Sequence, residues 1–157
     1  MRNGAFGRVM VRICSLSVAS LALVCSLVDV AVAQECDVSV SFVNFGSVDF
    51  RAGGAITGRL SVRCDRAQAF AIAASSGHGS FRDRRMRGPG GAELRYNLFV
   101  DPAHRQIWGD GRADGTTLVV GRTDGREASH VIYGFVLKGQ SAPPGQYSDA
   151  LVVTLER

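Results

Sequence analysis

The chain has 157 residues, 46% hydrophobic and 20% charged, with a formal net charge of +4 and a sequence pI of about 9.2. That length supplies one domain with a buried core. The basic balance does not argue for nucleic acid, because three of the 18 basic residues sit beside an N-terminal apolar run and Lys138 is the sole lysine.

The apolar run comes first along the chain. Arg2, Arg8 and Arg12 precede a mainly apolar stretch over 13–28, and Ala31-Val32-Ala33 places small residues around a cleavage point, the pattern of a secretory signal peptide. Cleavage after Ala33 would remove 1–33 and leave 34–157 as one domain of 124 residues with a net charge of +2. A rival cut after Ser26 would retain LVDVAVAQE, in which Val28, Val30 and Val32 alternate like a spare strand; Ala-x-Ala is the better signal. The same site and Asp29 argue against an uncleaved anchor, so no stable membrane insertion is expected after cleavage.

Cys14 and Cys25 fall in the leader, so Cys36 and Cys64 are the two cysteines of the exported domain and one disulfide is expected. They cannot build a Cys-x-x-Cys redox pair or a zinc set. Cys36, Val38, Val40 and Phe42 share one face of a first strand, and Ile56, Leu60, Val62 and Cys64 one face of the next. A disulfide across this antiparallel pair sets Val38 against Val62, Val40 against Leu60 and Phe42 against Gly58. The connection then falls near 46–54, where Gly53-Gly54 gives turn freedom.

Further strands are predicted over 69–75, 94–101, 116–121, 129–138 and 147–156, separated by Gly, Asp and Pro clusters. Leu94, Tyr96, Leu98 and Val100 alternate, as do Val131, Tyr133, Phe135 and Leu137, and Leu151, Val153 and Leu155. Seven short strands without a helical stripe point to an all-β sandwich.

Between these strands lie the polar motifs. His78, His104 and His130 have no metal-ligand spacing, no Gly-x-Ser-x-Gly elbow presents a nucleophile, and replacing His104 is expected to be nearly silent. No cofactor, metal or catalytic residue is therefore assigned, and the chain does not read as an enzyme. In GDGRADG, Asp110 and Asp114 among glycines read as turn chemistry rather than a calcium loop. RDRRMRG gathers Arg82, Arg84, Arg85 and Arg87; it could bind an anion, but Asp83 in its midst favours a solvated loop, and no aromatics interleave to stack bases. Tyr147 and Asp149, in GQYSDALVVTL, read as a structural corner, the tyrosine hydroxyl tying down the chain before the last strand.

The ordered set CDVSV, FVNFG, LSVRC, RRM, YNLFVD, WGDG, VIYGFV and GQYSDALVVTL, spanning 36–157, resembles the spore coat protein U domain family, which is similar to the pilins of the archaic chaperone-usher pathway. The resemblance implies an immunoglobulin-like, pilin-type β-sandwich that lacks one strand and is completed by donor-strand complementation. It implies a periplasmic chaperone, an outer-membrane usher and other pilin subunits as partners, and export through the periplasm to a cell-surface fibre used in adhesion or biofilm formation. The groove for the incoming strand would lie between Val38, Val40 and Phe42 of the first strand and Leu151, Val153 and Leu155 of the last. Cleavage after Ala33 leaves only Gln34 and Glu35 before the first cysteine, so such a subunit would accept a strand without giving one. A non-fibrous coat or envelope protein of the same fold is the alternative, and a carbohydrate-binding module a more distant one.

Overall fold

A computed structural model describes residues 8–11, 28–31, 36–41, 44–113 and 115–156. The chain divides into two units, Met1–Glu35 and Cys36–Arg157. In the first, β1 (Arg8–Val11) pairs antiparallel with β2 (Val28–Ala31). Val32, Ala33 and Ser26, on which the two expected cleavage points rest, lie outside the described residues. No helix among the described residues is long and apolar enough to cross a membrane.

The second unit is built of strands. β3 (Cys36–Val40) and β4 (Gly54–Cys64) pair antiparallel in the register expected from the sequence, with Cys36 opposite Cys64, Val38 opposite Val62 and Val40 opposite Leu60. A disulfide joins Cys36 to Cys64. Phe42, expected to continue this face, lies outside the described residues. Gly53 ends the connection at φ +77, where a Cβ would stand 2.7 Å from the Val136 carbonyl oxygen, so only glycine fits without rearrangement.

The chain then supplies β5 (Ala67–Ala74), β6 (Gly79–Ser80), β7 (Asp83–Arg87), β8 (Glu93–Phe99), β9 (Ile107–Trp108), β10 (Thr116–Thr117), β11 (Val119–Asp124), β12 (Ala128–Val136) and β13 (Val153–Glu156). The larger sheet runs β10-β9-β8-β12-β4-β3, with β7 also on β8 and β6 on β7; the smaller runs β11-β5-β13. Period-two alternation gives each sheet one apolar face, and Leu60, Val62, Leu98 and Ile132 from the larger meet Phe70 and Ile72 from the smaller in one buried core. Trp108, fully buried on β9, packs in the same core.

Three local expectations change. The last strand was expected over 147–156, but its ladder with β5 is Val153–Glu156, because the chain first crosses from one sheet to the other. RDRRMRG was expected as a solvated loop, but Asp83–Arg87 is a strand: Arg84 and Met86 alternate inward, and Arg84 is 0% exposed. A charged residue conceals the period here because its guanidinium finds acceptors inside the protein. On β12, Ile132, Gly134 and Val136 are buried, while Val131, Tyr133, Phe135 and Leu137 occupy the more open positions and Val131 is 45% exposed. Both faces of that strand are apolar, so the period alone does not choose between them.

His104 packs against two aromatic rings. At φ +55 its ring lies 5.0 Å from that of Phe99 and 5.3 Å from that of Phe135, covering this aromatic patch.

Candidate functional site: two open sheet edges

Among the described residues β3 and β13 each have a single partner, as do β6, β10 and β11. β3 ends the larger sheet on β4, and β13 ends the smaller on β5. The outer backbone groups of both therefore face away from any ladder among the described residues, which is the property of a strand able to take on another.

Their side chains match their position. On the interior strands the inward residues are closed off, with Leu60, Val62, Ile72 and Val136 at 0% exposure. Val38 and Val40 on β3, and Leu151, Val153 and Leu155 at and before β13, pack against the same core but remain half-buried. The apolar interior is thus complete at its middle and open along the first and last strands. An extended apolar chain could bury these side chains and bond to the free edges, which is the chemistry of β-augmentation. Phe42, the sixth residue expected here, is outside the described residues.

The disulfide fixes one end of β3, and the Gln68 amide touches Cys36 Sγ from β5. Tyr147 and Asp149 stand at the approach to β13. The Tyr147 hydroxyl donates to the Pro143 carbonyl at 2.7 Å, and its ring meets Phe50 edge-on at 5.5 Å. A Cβ at Gly88 would stand 2.3 Å from the Tyr147 ring, so that glycine makes room for it. Asp149 accepts from the His78 and Ala150 amides at 3.0 and 2.8 Å and from the Tyr96 hydroxyl at 2.6 Å.

The arginines separate into different roles. Arg84 donates to Asn97 Oδ1 and to the carbonyls of Ser75 and Trp108, each at 2.8 Å, and its guanidinium carbon lies 5.4 Å from the Phe81 ring centroid. It is therefore held inside the protein rather than presented to an anion. Arg85 bridges Asp83 and Glu93 at 2.5 and 2.6 Å, and Arg95 also holds Asp83 at 2.5 Å. Arg85, then Arg95, hold the Asp83 carboxyl below its usual range, and Arg85 with His78 does the same to Glu93. Arg87 donates to His78 Nδ1 at 3.0 Å. Arg82 also has an interaction within the protein. In the GDGRADG turn, Asp110 accepts from the Arg112 and Ala113 amides and the Thr116 hydroxyl, while Asp114 lies outside the described residues.

Sequence reasoning missed the interior use of Arg84 and its partner Asn97, 6% exposed on β8. The signal available was the Arg84, Met86 alternation, which four arginines in six residues obscure.

Comparison with known proteins bears on this arrangement. The model of the Spore Coat Protein U domain matches residues 22–154. No curated protein matches the sequence. Among solved structures, the fold is similar to a chain in the CsuC–CsuE chaperone–tip adhesion subunit pre-assembly complex from the archaic chaperone-usher Csu pili of Acinetobacter baumannii. The TM-score is 0.63 at 17% identity, over 84% of this chain and 45% of that chain. This chain thus spans less than half the length of its structural neighbour, and the likeness is one of fold: an immunoglobulin-like, pilin-type sandwich.

Proposed function

Because the chain belongs to the Spore Coat Protein U domain family, we propose that it is a secreted structural subunit of a cell-surface fibre, assembled by a chaperone-usher route, and that it acts by accepting a β-strand between β3 and β13. In this reading 1–33 is a leader removed on export and 34–157 is the working domain. A periplasmic chaperone lends a strand first; at an outer-membrane usher a neighbouring subunit's strand replaces it.

The observation that carries the reading is the pair of open edges. Val38 and Val40 line one and Leu151, Val153 and Leu155 the other, all half-buried beside the closed centre of the core. Such edges invite aggregation unless another chain covers them. The structural neighbour is a complex of a chaperone with a pilus subunit, which supports a chaperone as the first occupant. The family and the fold are those of structural subunits rather than of a known enzyme.

Purification of the exported protein from the periplasm together with its bound partners tests the proposal. A stoichiometric chaperone, with the backbone amides of β3 and β13 protected in the complex, is expected. A protein that is stable and monomeric alone, with no strand added at either edge, would overturn it and favour a non-fibrous coat protein.

A further inference from the structure

The segment between the larger sheet and β13 is held from within. Ser148 and Arg87 exchange two backbone bonds at 2.8 and 3.0 Å, an isolated bridge that attaches the chain to β7. One residue on, the Asp149 carboxylate accepts the hydroxyl of Tyr96, which is 4% exposed. Three residues further, Val152 accepts the Ser75 amide at 2.9 Å and donates its own amide to Ser75 Oγ at 2.9 Å, so Ser75 holds the chain just before the β5–β13 ladder starts at Ala74 and Val153.

Ser75 is in turn fixed by Arg84, whose Nη2 donates to its carbonyl and to that of Trp108. Arg84 and Tyr96 stand opposite each other in the β7–β8 ladder. The buried cation thus holds the β5 side of the crossing while its cross-strand partner holds Asp149 on the other. An arginine with no exposed surface is costly to bury, and no carboxylate oxygen among the described residues bonds to it. Its three donated bonds go instead to the Asn97 side chain and to the carbonyls of Ser75 and Trp108. A planar fork suits that task, because two acceptors share one nitrogen while a third lies on the other.

We infer that Arg84 and Tyr96 are positioning residues for the accepting edge: they set where the chain leaves the larger sheet and the register in which β13 meets β5, and so how Leu151, Val153 and Leu155 face an incoming strand. The inference rests on the strand-accepting role proposed above and assigns residues that never touch the incoming chain. The ligand is an extended apolar strand whose alternate side chains enter the core beside Val153 and Leu155.

Amide hydrogen exchange on the exported protein carrying Tyr96→Phe or Arg84→Lys, with capture of a synthetic peptide LVDVAVAQE (27–35 of this chain), tests it. Tyr96→Phe removes only the oxygen bonded to Asp149, and Arg84→Lys keeps the charge but loses the fork. Exchange at 152–156 should rise about tenfold, the worth of one hydrogen bond, with amides at 58–62 and 132–136 unchanged and peptide capture weakened by a similar factor. Exchange unchanged at 152–156, or raised equally at all three sites, would overturn the inference. If the unaltered protein captures neither this peptide nor a chaperone's strand while the local exchange pattern still appears, the positioning role stands and the strand-accepting reading falls.

Discussion

Trp108 donates its indole N–H to the Ile72 carbonyl at 3.0 Å, joining β9 of the larger sheet to β5 of the smaller across the core. Ala74 extends the same junction by donating to the Gly109 carbonyl at 3.1 Å. Replacing Trp108 by Phe would keep an aromatic ring but leave a buried carbonyl without this donor and open space beside it. A loss of about 2–3 kcal/mol is expected, read as a lower midpoint in urea with an unchanged slope. A midpoint that does not move would mean the junction adds nothing beyond packing.

The disulfide ties β3, an edge strand with one ladder, across 28 residues of sequence to the end of β4. Cys64→Ser should cost about 3–4 kcal/mol in the chain-entropy account. Denaturation of the oxidised protein beside the variant measures this, and titration of free thiols in the native protein should find neither Cys36 nor Cys64 reactive.

A charge on the two sides of the sandwich should act differently. Val153→Asp places a carboxylate on the half-buried inner face of β13 and is expected to abolish accumulation of the exported protein, because the charge must be desolvated when the edge is covered. Val131→Asp, at a position 45% exposed, should be tolerated. Equal yields of the two variants would contradict the assignment of an accepting edge at β13.

At His104 two effects are separable. His104→Ala removes the ring contacts with Phe99 and Phe135 and leaves a Cβ at φ +55; His104→Gly removes the same contacts but relieves the backbone. The expected order of stability is His, then Gly, then Ala, with the ring contacts worth about 1 kcal/mol. Thermal melts of the three proteins give the order directly.

The ion pairs on β7 and β8 predict a dependence on pH. Asp83 and Glu93 are held below their usual range by Arg85, with help from Arg95 and His78 respectively. A carboxylate whose folded pKa is depressed stabilises the fold above its unfolded value, near 4, and loses that contribution as pH falls through the folded value. Stability should therefore decline below about pH 4, and Asp83→Asn should flatten the decline. A variant whose acid limb superimposes on that of the parent protein would remove Asp83 from the account.

The sequence by itself determined the all-β class, the pairing of Cys36 with Cys64 and the register of β3 on β4, because period-two alternation and a single cross-link leave one self-consistent alignment. It also marked Tyr147 as a corner, since a hydroxyl near the end of a turn-rich stretch needs only a local carbonyl, supplied four residues back by Pro143. Tertiary structure alone decided which face of β12 is buried, since Val131 and Ile132 are equally apolar and only the sheet packed against them distinguishes them. It also decided that Arg84 lies inside, because its acceptors at Ser75, Asn97 and Trp108 come from three separate parts of the chain. The open edges of β3 and β13 belong to the same class: whether a strand ends a sheet depends on which strands lie beside it in space, and alternation along the chain carries no record of its neighbours.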